Sequence, residues 1–169
     1  MKWIYIFFSS LLMTSCWPSS VSFMDKGSMP PEWKTFTLTT LESNAPNAPL
    51  SYPAGLSEAV KDGIQNNTRL LLTSSFDESN IDIDGVINSY TVTPISLQEG
   101  DNAAQNRLTI SVSFNILIKV PEPDEMKLTS TRFIDYDSKS DLSSIETQLL
   151  EEINTQVVQD VINKLLSNW

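Results

Sequence analysis

The chain has 169 residues, 40% of them hydrophobic, with 21 acidic against 11 basic side chains, no histidine and one cysteine. That is the size of one ordinary domain, apolar enough to build a core and too apolar for a disordered chain. The net charge of −10 excludes nucleic acid as a partner for the bulk field of the protein. The single cysteine excludes an intrachain disulfide. The missing histidine excludes a Ser-His-Asp triad, a Cys-His pair and a His- or thiolate-rich zinc site.

At the N-terminus Lys2 precedes an apolar run, Trp3 to Met13, followed by Thr14-Ser15-Cys16. The run has the length of a signal-peptide core and is too short to span a bilayer. A cysteine directly after such a core, preceded by small residues, resembles a bacterial lipobox, with Met13 in place of the usual leucine. Residues 1–15 then read as a lipoprotein signal peptide, and Cys16 as the lipidation site. An unpaired exposed thiol is a liability in an oxidising compartment, which favours this reading over a free cysteine. Acyl chains contribute about 0.8 kcal/mol per buried methylene, so two or three anchor stably without a transmembrane helix. Residues 16–31 form the lipidated cysteine and its tether, closed by Pro30-Pro31, and residues 32–169 form a single domain.

Trp33 to Leu41 alternates Phe36, Leu38 and Thr40 against Thr37 and Thr39, which predicts a strand. Glu42 to Pro53, with three prolines, reads as loop. Leu56, Val60 and Ile64 recur at helical spacing and predict a helix over about Leu56 to Asn66, with Ser57 as N-cap and Gly63 as a weak point. Thr68 to Thr73 reads as a short strand or the helix exit. Asn80 to Thr93 is a strand with Ile81, Ile83 and Ile87 on one face. Gly85 marks a bulge or a close backbone approach, and Pro94 weakens any continuation.

After a polar loop, Leu97 to Asn106, comes the clearest pattern in the chain. Leu108, Ile110, Val112, Phe114, Ile116, Ile118 and Val120 alternate with Thr109, Ser111, Ser113 and Asn115, as in an antiparallel strand with one wet face. Pro121 to Glu125 turns it, and Met126 to Tyr136 returns as its partner. The chain then closes with a long amphipathic helix. Ile145, Leu149, Ile153, Val157, Val161 and Leu165 form one row, and Leu150, Val158, Ile162 and Leu166 a second. Ser143 and Glu146 read as a capping box. Roughly 25 residues at 1.5 Å each make a rod of about 37 Å, whose stripe must be covered by a sheet. The order predicts an α+β two-layer sandwich, with an about four-stranded, mostly antiparallel sheet packed against two helices.

Few residues offer chemistry. Asp135 and Asp137 flank Tyr136 and would be a carboxylate pair for glycoside hydrolysis only if both opened into one cleft; strand-end turn residues are the simpler reading. Asn80, Asp82 and Asp84 imitate half of a calcium loop, but its twelfth position is Thr91 instead of glutamate. No phosphate-binding glycine loop and no cofactor pattern is present. Arg107 and Arg132 open and close the long hairpin, and Lys119 and Lys127 flank its tip. This basic set could meet phosphates on an otherwise acidic protein.

Several stretches together resemble the LptE family of lipopolysaccharide-assembly lipoproteins. They are Ser89-Tyr90-x-Val92-Thr93-Pro94, Ala103-Ala104-x-Asn106-Arg107-Leu108-Thr109-Ile110, Arg132-Phe133-x-Asp135-Tyr136-Asp137, Leu142-Ser143-Ser144 and the ending Asn163-Lys164 to Ser167-Asn168-Trp169. The resemblance implies two helices on a four-stranded sheet and no enzymatic activity. It implies an outer-membrane lipoprotein, lipid-anchored on the periplasmic side, that plugs the LptD β-barrel, assists its assembly and helps to pass lipopolysaccharide outward. Partners would be that barrel, the membrane through the acyl chains, and lipopolysaccharide; the basic set Arg107, Lys119, Lys127 and Arg132, read from the residues and not carried over from a family motif, is the expected contact. The other expectation open from the residues is a lipoprotein binding a lipid or small ligand in a cleft between helix and sheet.

Overall fold

The computed structural model describes residues 29–95 and 105–167. The leader, Cys16, residues 17–28, the greater part of the 97–106 loop and the last two residues lie outside the described residues.

Among the described residues eight elements follow one another: β1 (Thr35–Leu38), β2 (Glu42–Ser43), α1 (Tyr52–Asn67), β3 (Leu71–Leu72), β4 (Ile81–Ile95), β5 (Gln105–Ile118), β6 (Asp124–Asp137) and α2 (Leu142–Leu166). The α+β class, the two helices and the long last helix are as the sequence predicts. The sheet has six strands, in the order β3-β1-β4-β5-β6, with β2 beside β4. β4, β5 and β6 form an antiparallel meander, but β1 runs parallel to both β3 and β4, and β2 is parallel to β4. The parallel pairing follows from α1, a crossover that brings the chain back to the same end of the sheet. β2 and β3, two residues each, carry too little pattern to stand out in the sequence.

Alternation on β5 sends Leu108, Ile110, Val112, Phe114, Ile116 and Ile118 into the core. Both helices cover that face. Along α2, Leu149, Ile153, Val157, Val161 and Leu165 are buried, each contributing about 1.5–3 kcal/mol. The second apolar row meets α1: a Cβ on Gly63 would overlap Val158 Cγ1. Tyr52 ties the helices by donating to Asn154 Oδ1 at 3.0 Å.

Four local expectations are corrected. α1 begins at Tyr52, with Pro53 in its first turn and Ser51 as N-cap, where proline fits because the N–H it lacks has no partner there. Ser57 is instead buried mid-helix, its hydroxyl donating to Pro53 O and accepting from Leu41 N at 2.9 Å. α2 is capped by Asp141, which accepts from Ser143 N, while Glu146 accepts from the Tyr90 hydroxyl on β4. β4 runs through Pro94, which pairs with Asn106; β1 and β2 have ended by then, so among the described residues no strand pairs with β4 on its other side there, where proline is tolerated. Gly85 is a close approach, since a Cβ there would stand 2.8 Å from Ser113 O. The bulge falls between Ile87 and Ser89.

Candidate functional site

The cations singled out in the sequence sit at separate places on the sheet, each with an acid. Arg107 is directly opposite Asp135 across β5 and β6. Its Nε and Nη2 donate to the two Asp135 oxygens at 2.7 and 2.9 Å, and its guanidinium lies 3.8 Å from the centre of the exposed Phe133 ring. The paired guanidinium holds the Asp135 carboxyl below its usual range, and Asp135 raises Arg107 in return.

Arg132 points the other way, toward the helices. It forms a fork to Asp160 of α2, with Nε donating at 2.8 Å, and Ser130 donates to the same carboxylate at 2.5 Å. Burial alone would raise Asp160; the bonds from Arg132 and Ser130 and the Arg132 charge outweigh it and lower its pKa. Asp160 thus faces β6 and not the wet side of α2.

Lys119 anchors the opposite end of the sheet. Its Nζ is 2.6 Å from Asp82 Oδ2, donates to Ser79 Oγ at 2.9 Å and to Phe76 O, and sits 3.5 Å from the Phe76 ring centre. Burial would raise Asp82, but hydrogen bonds from Lys119, Ser79 and Thr37, with the Lys119 charge, bring it below its usual value. Lys127 is the most open of the set, with a 3.1 Å contact to Glu125 and a side chain 77% exposed. The structure therefore brings each cation to an acid and does not bring the four together. Phosphate bound at Arg107 or Arg132 would have to displace a bidentate carboxylate; at Lys127 only an exposed pair, worth little, stands in the way.

The acids proposed for other chemistry have local tasks. Asp135 is the partner of Arg107, and Asp137 accepts from Lys139 N at 2.8 Å in the turn before α2. Asn80 Oδ1 accepts from the backbone N–H groups of Lys34 and Thr35, pinning β1 to β4. Among the described residues no group of three His, Cys, Asp or Glu could hold a metal ion, and no helix is long and apolar enough to cross a membrane. The space between α2 and the sheet is filled by Ile110, Val112, Ile153 and Val157, each at 0% exposure, and their buried neighbours. An open groove lies between the helices instead, beside Ala59, Asn154 and Val158.

With this arrangement in place, residues 34–165 match the family model described as LptE, lipopolysaccharide-assembly. The chain belongs to the LptE family. No curated protein gives a significant match. Among solved structures, this LptE-family chain is similar to lipoprotein B from Nitrosomonas europaea, at 16% identity over 82% of this chain and 84% of that one, with a TM-score of 0.52. It is also similar to a hypothetical protein from Chlamydia trachomatis, at 10% identity over 80% and 99%, with a TM-score of 0.54. The rare lipoprotein B from Shewanella oneidensis aligns at 19% identity over 78% and 94%, with a TM-score of 0.49. At these identities the likeness to the first two is one of fold.

Phe133, Phe76 and Asp160 were not legible as parts of these sites. Only the hairpin register, Ile118 opposite Asp124, places Asp135 beside Arg107, and the turn residues alone do not fix that register.

Proposed function

We propose that this chain is a lipid-anchored outer-membrane lipoprotein that fills the lumen of an LptD-type β-barrel and assists lipopolysaccharide transport there. The observation that carries the reading is the family match over residues 34–165. Cys16, directly after an apolar leader, supports acylation and a membrane anchor. The sheet face turned away from the helices supports a fit to a polar, water-filled wall: Ser111 bonds Thr131 and Ser113 bonds Thr129 across β5 and β6. Contacts with the barrel or with lipopolysaccharide phosphates fall on Arg107, Lys119, Lys127 and Arg132, with Lys127 the readiest to exchange its partner.

Purification of the acylated protein from membranes in mild detergent is expected to bring down a large outer-membrane β-barrel in stoichiometric amount. Recovery of the acylated protein alone would sink the proposal. Growth with an alkyne-tagged palmitate is expected to label the wild type and leave Cys16→Ala unlabelled.

A further inference from the structure

The β5–β6 turn carries an open pocket of about 440 Å³, lined by Trp33, Ile118, Pro121, Glu122, Pro123 and Asp124. Trp33 and Ile118, both buried, supply its inner wall, and the two exposed prolines its outer one. The indole N–H is already spent on Val120 O, so what Trp33 offers an occupant is hydrocarbon. The rim is acidic. Among the described residues neither Glu122 nor Asp124 takes part in an ion pair, whereas Asp82, Asp135 and Asp160 each hold a cation. An apolar pocket beside two unspent carboxylates fits an apolar side chain with a cation close to it in sequence.

Such a segment lies directly before the first described residue. Arg69 Nη2 donates to Met29 O at 2.5 Å and to Pro30 O, and Trp33 N donates to Pro30 O at 3.0 Å. The chain thus enters the domain folded against a wall of the pocket. Just upstream comes Phe23-Met24-Asp25-Lys26-Gly27-Ser28, and Lys26 is the one cation of residues 17–28. We infer that this stretch of the tether docks on the β5–β6 turn, with Met24 in the pocket and Lys26 against Glu122 and Asp124.

In an extended segment Met24 and Lys26 share a face, and Phe23 and Asp25 take the other, so the tether's own acid stays clear of the acidic rim. Methionine suits an irregular pocket, and its sulfur packs well against an indole. Lys26 and Met24 stand three and five residues before Met29, a reach of about 10 and 17 Å. A segment tied this close is present at an effective concentration on the order of millimolar, ahead of a dilute free ligand. Docking would hold the β5–β6 turn within about 28 Å of Cys16, eight residues from Met24. That consequence rests on acylation of Cys16; the docking does not.

Disulfide trapping reads the dock directly. In the chain purified from membranes in detergent, Met24→Cys with Pro123→Cys is expected to form an intramolecular disulfide under mild oxidation, identified by peptide mass. Two other pairs are expected to give severalfold less: Phe23→Cys with Pro123→Cys, on the other face, and Met24→Cys with Thr155→Cys, in the groove between the helices. Lys26→Glu added to the first pair should cut its crosslink severalfold, and Glu122→Lys added to that should restore it, with the thermal transition of the domain unchanged throughout. Equal crosslinking from positions 23 and 24, a stronger link to Thr155→Cys, a link only between two chains, or indifference to Lys26→Glu would each overturn the inference. None of these readouts involves the barrel, so the docking and the barrel reading fail separately.

Discussion

Asp160 is a side chain explained by its contacts and not by its polar neighbours on the helix. It sits beside Gln156 and Gln159 in sequence, yet it collects Ser130 and the Arg132 fork from β6. Asp160→Asn should cost about 1.5–3 kcal/mol in urea unfolding, the range for a hydrogen bond to a charged group. Its pKa, like that of Asp82, is lowered in the folded state from the ordinary 3.8. The stabilisation is therefore complete above that value and is lost as pH falls through the folded pKa values below it. Acid titration of stability should steepen below about pH 4, and the Asp160→Asn variant should lose part of that slope. Gly63 is the other residue with a sharp consequence. Alanine there would gain about 1 kcal/mol in helix propensity, but its Cβ would overlap Val158, a β-branched side chain with little rotamer freedom. Gly63→Ala should destabilise by about 1–3 kcal/mol, the cost of overpacking, and Val158→Ala in the same chain should recover most of it. A stabilised single variant would mean that the helices can part at no cost.

Among the elements, α2 separates two readings of one cap. The spacing of Ser143 and Glu146 suggests a capping box, but Asp141 accepts from both Ser143 N and Ser143 Oγ, and Glu146 is taken up by Tyr90. Asp141→Ala should cost about 1 kcal/mol, as loss of an N-cap does, with Ser143→Ala costing clearly less; chemical denaturation of the two variants decides. The reverse order would restore the capping box. In α1 the same kind of displacement occurs. Ser57 has the residue type of a cap, but one turn of helix precedes it, and its hydroxyl serves the buried N–H of Leu41. Pro53 looked like a loop residue and lies instead in the first helical turn.

At the scale of the molecule, one buried cluster runs from Met29 and Trp33 through both helices to the sheet. Trp33 closes it by donating to Val120 O at 2.8 Å, joining the first described segment to the β5–β6 turn. Such a core should unfold as a unit. Ile153→Ala, at 0% exposure, should cost about 2–5 kcal/mol and move the fluorescence and far-ultraviolet circular dichroism transitions together. Separate transitions would show that the helical layer and the sheet are independent.

The amino-acid pattern by itself determined the α+β class, the β5 core row, the central hairpin and the long final helix, because each rests on many residues repeating one period. Family membership was also legible, through stretches spread along the β4, β5 and β6 strands and α2. Tertiary structure alone decided the two-residue strands β2 and β3, the parallel pairing of β1, and the partner of every candidate cation. Pairing of that kind depends on hairpin register and on which helix lies above which strand, and neither leaves a periodic trace. It also decided how the α2 stripe is used. One row packs into the sheet core, while Val158 of the second row meets Gly63 on α1. A stripe records that it must be covered, but the cover is chosen only when the other elements are in place.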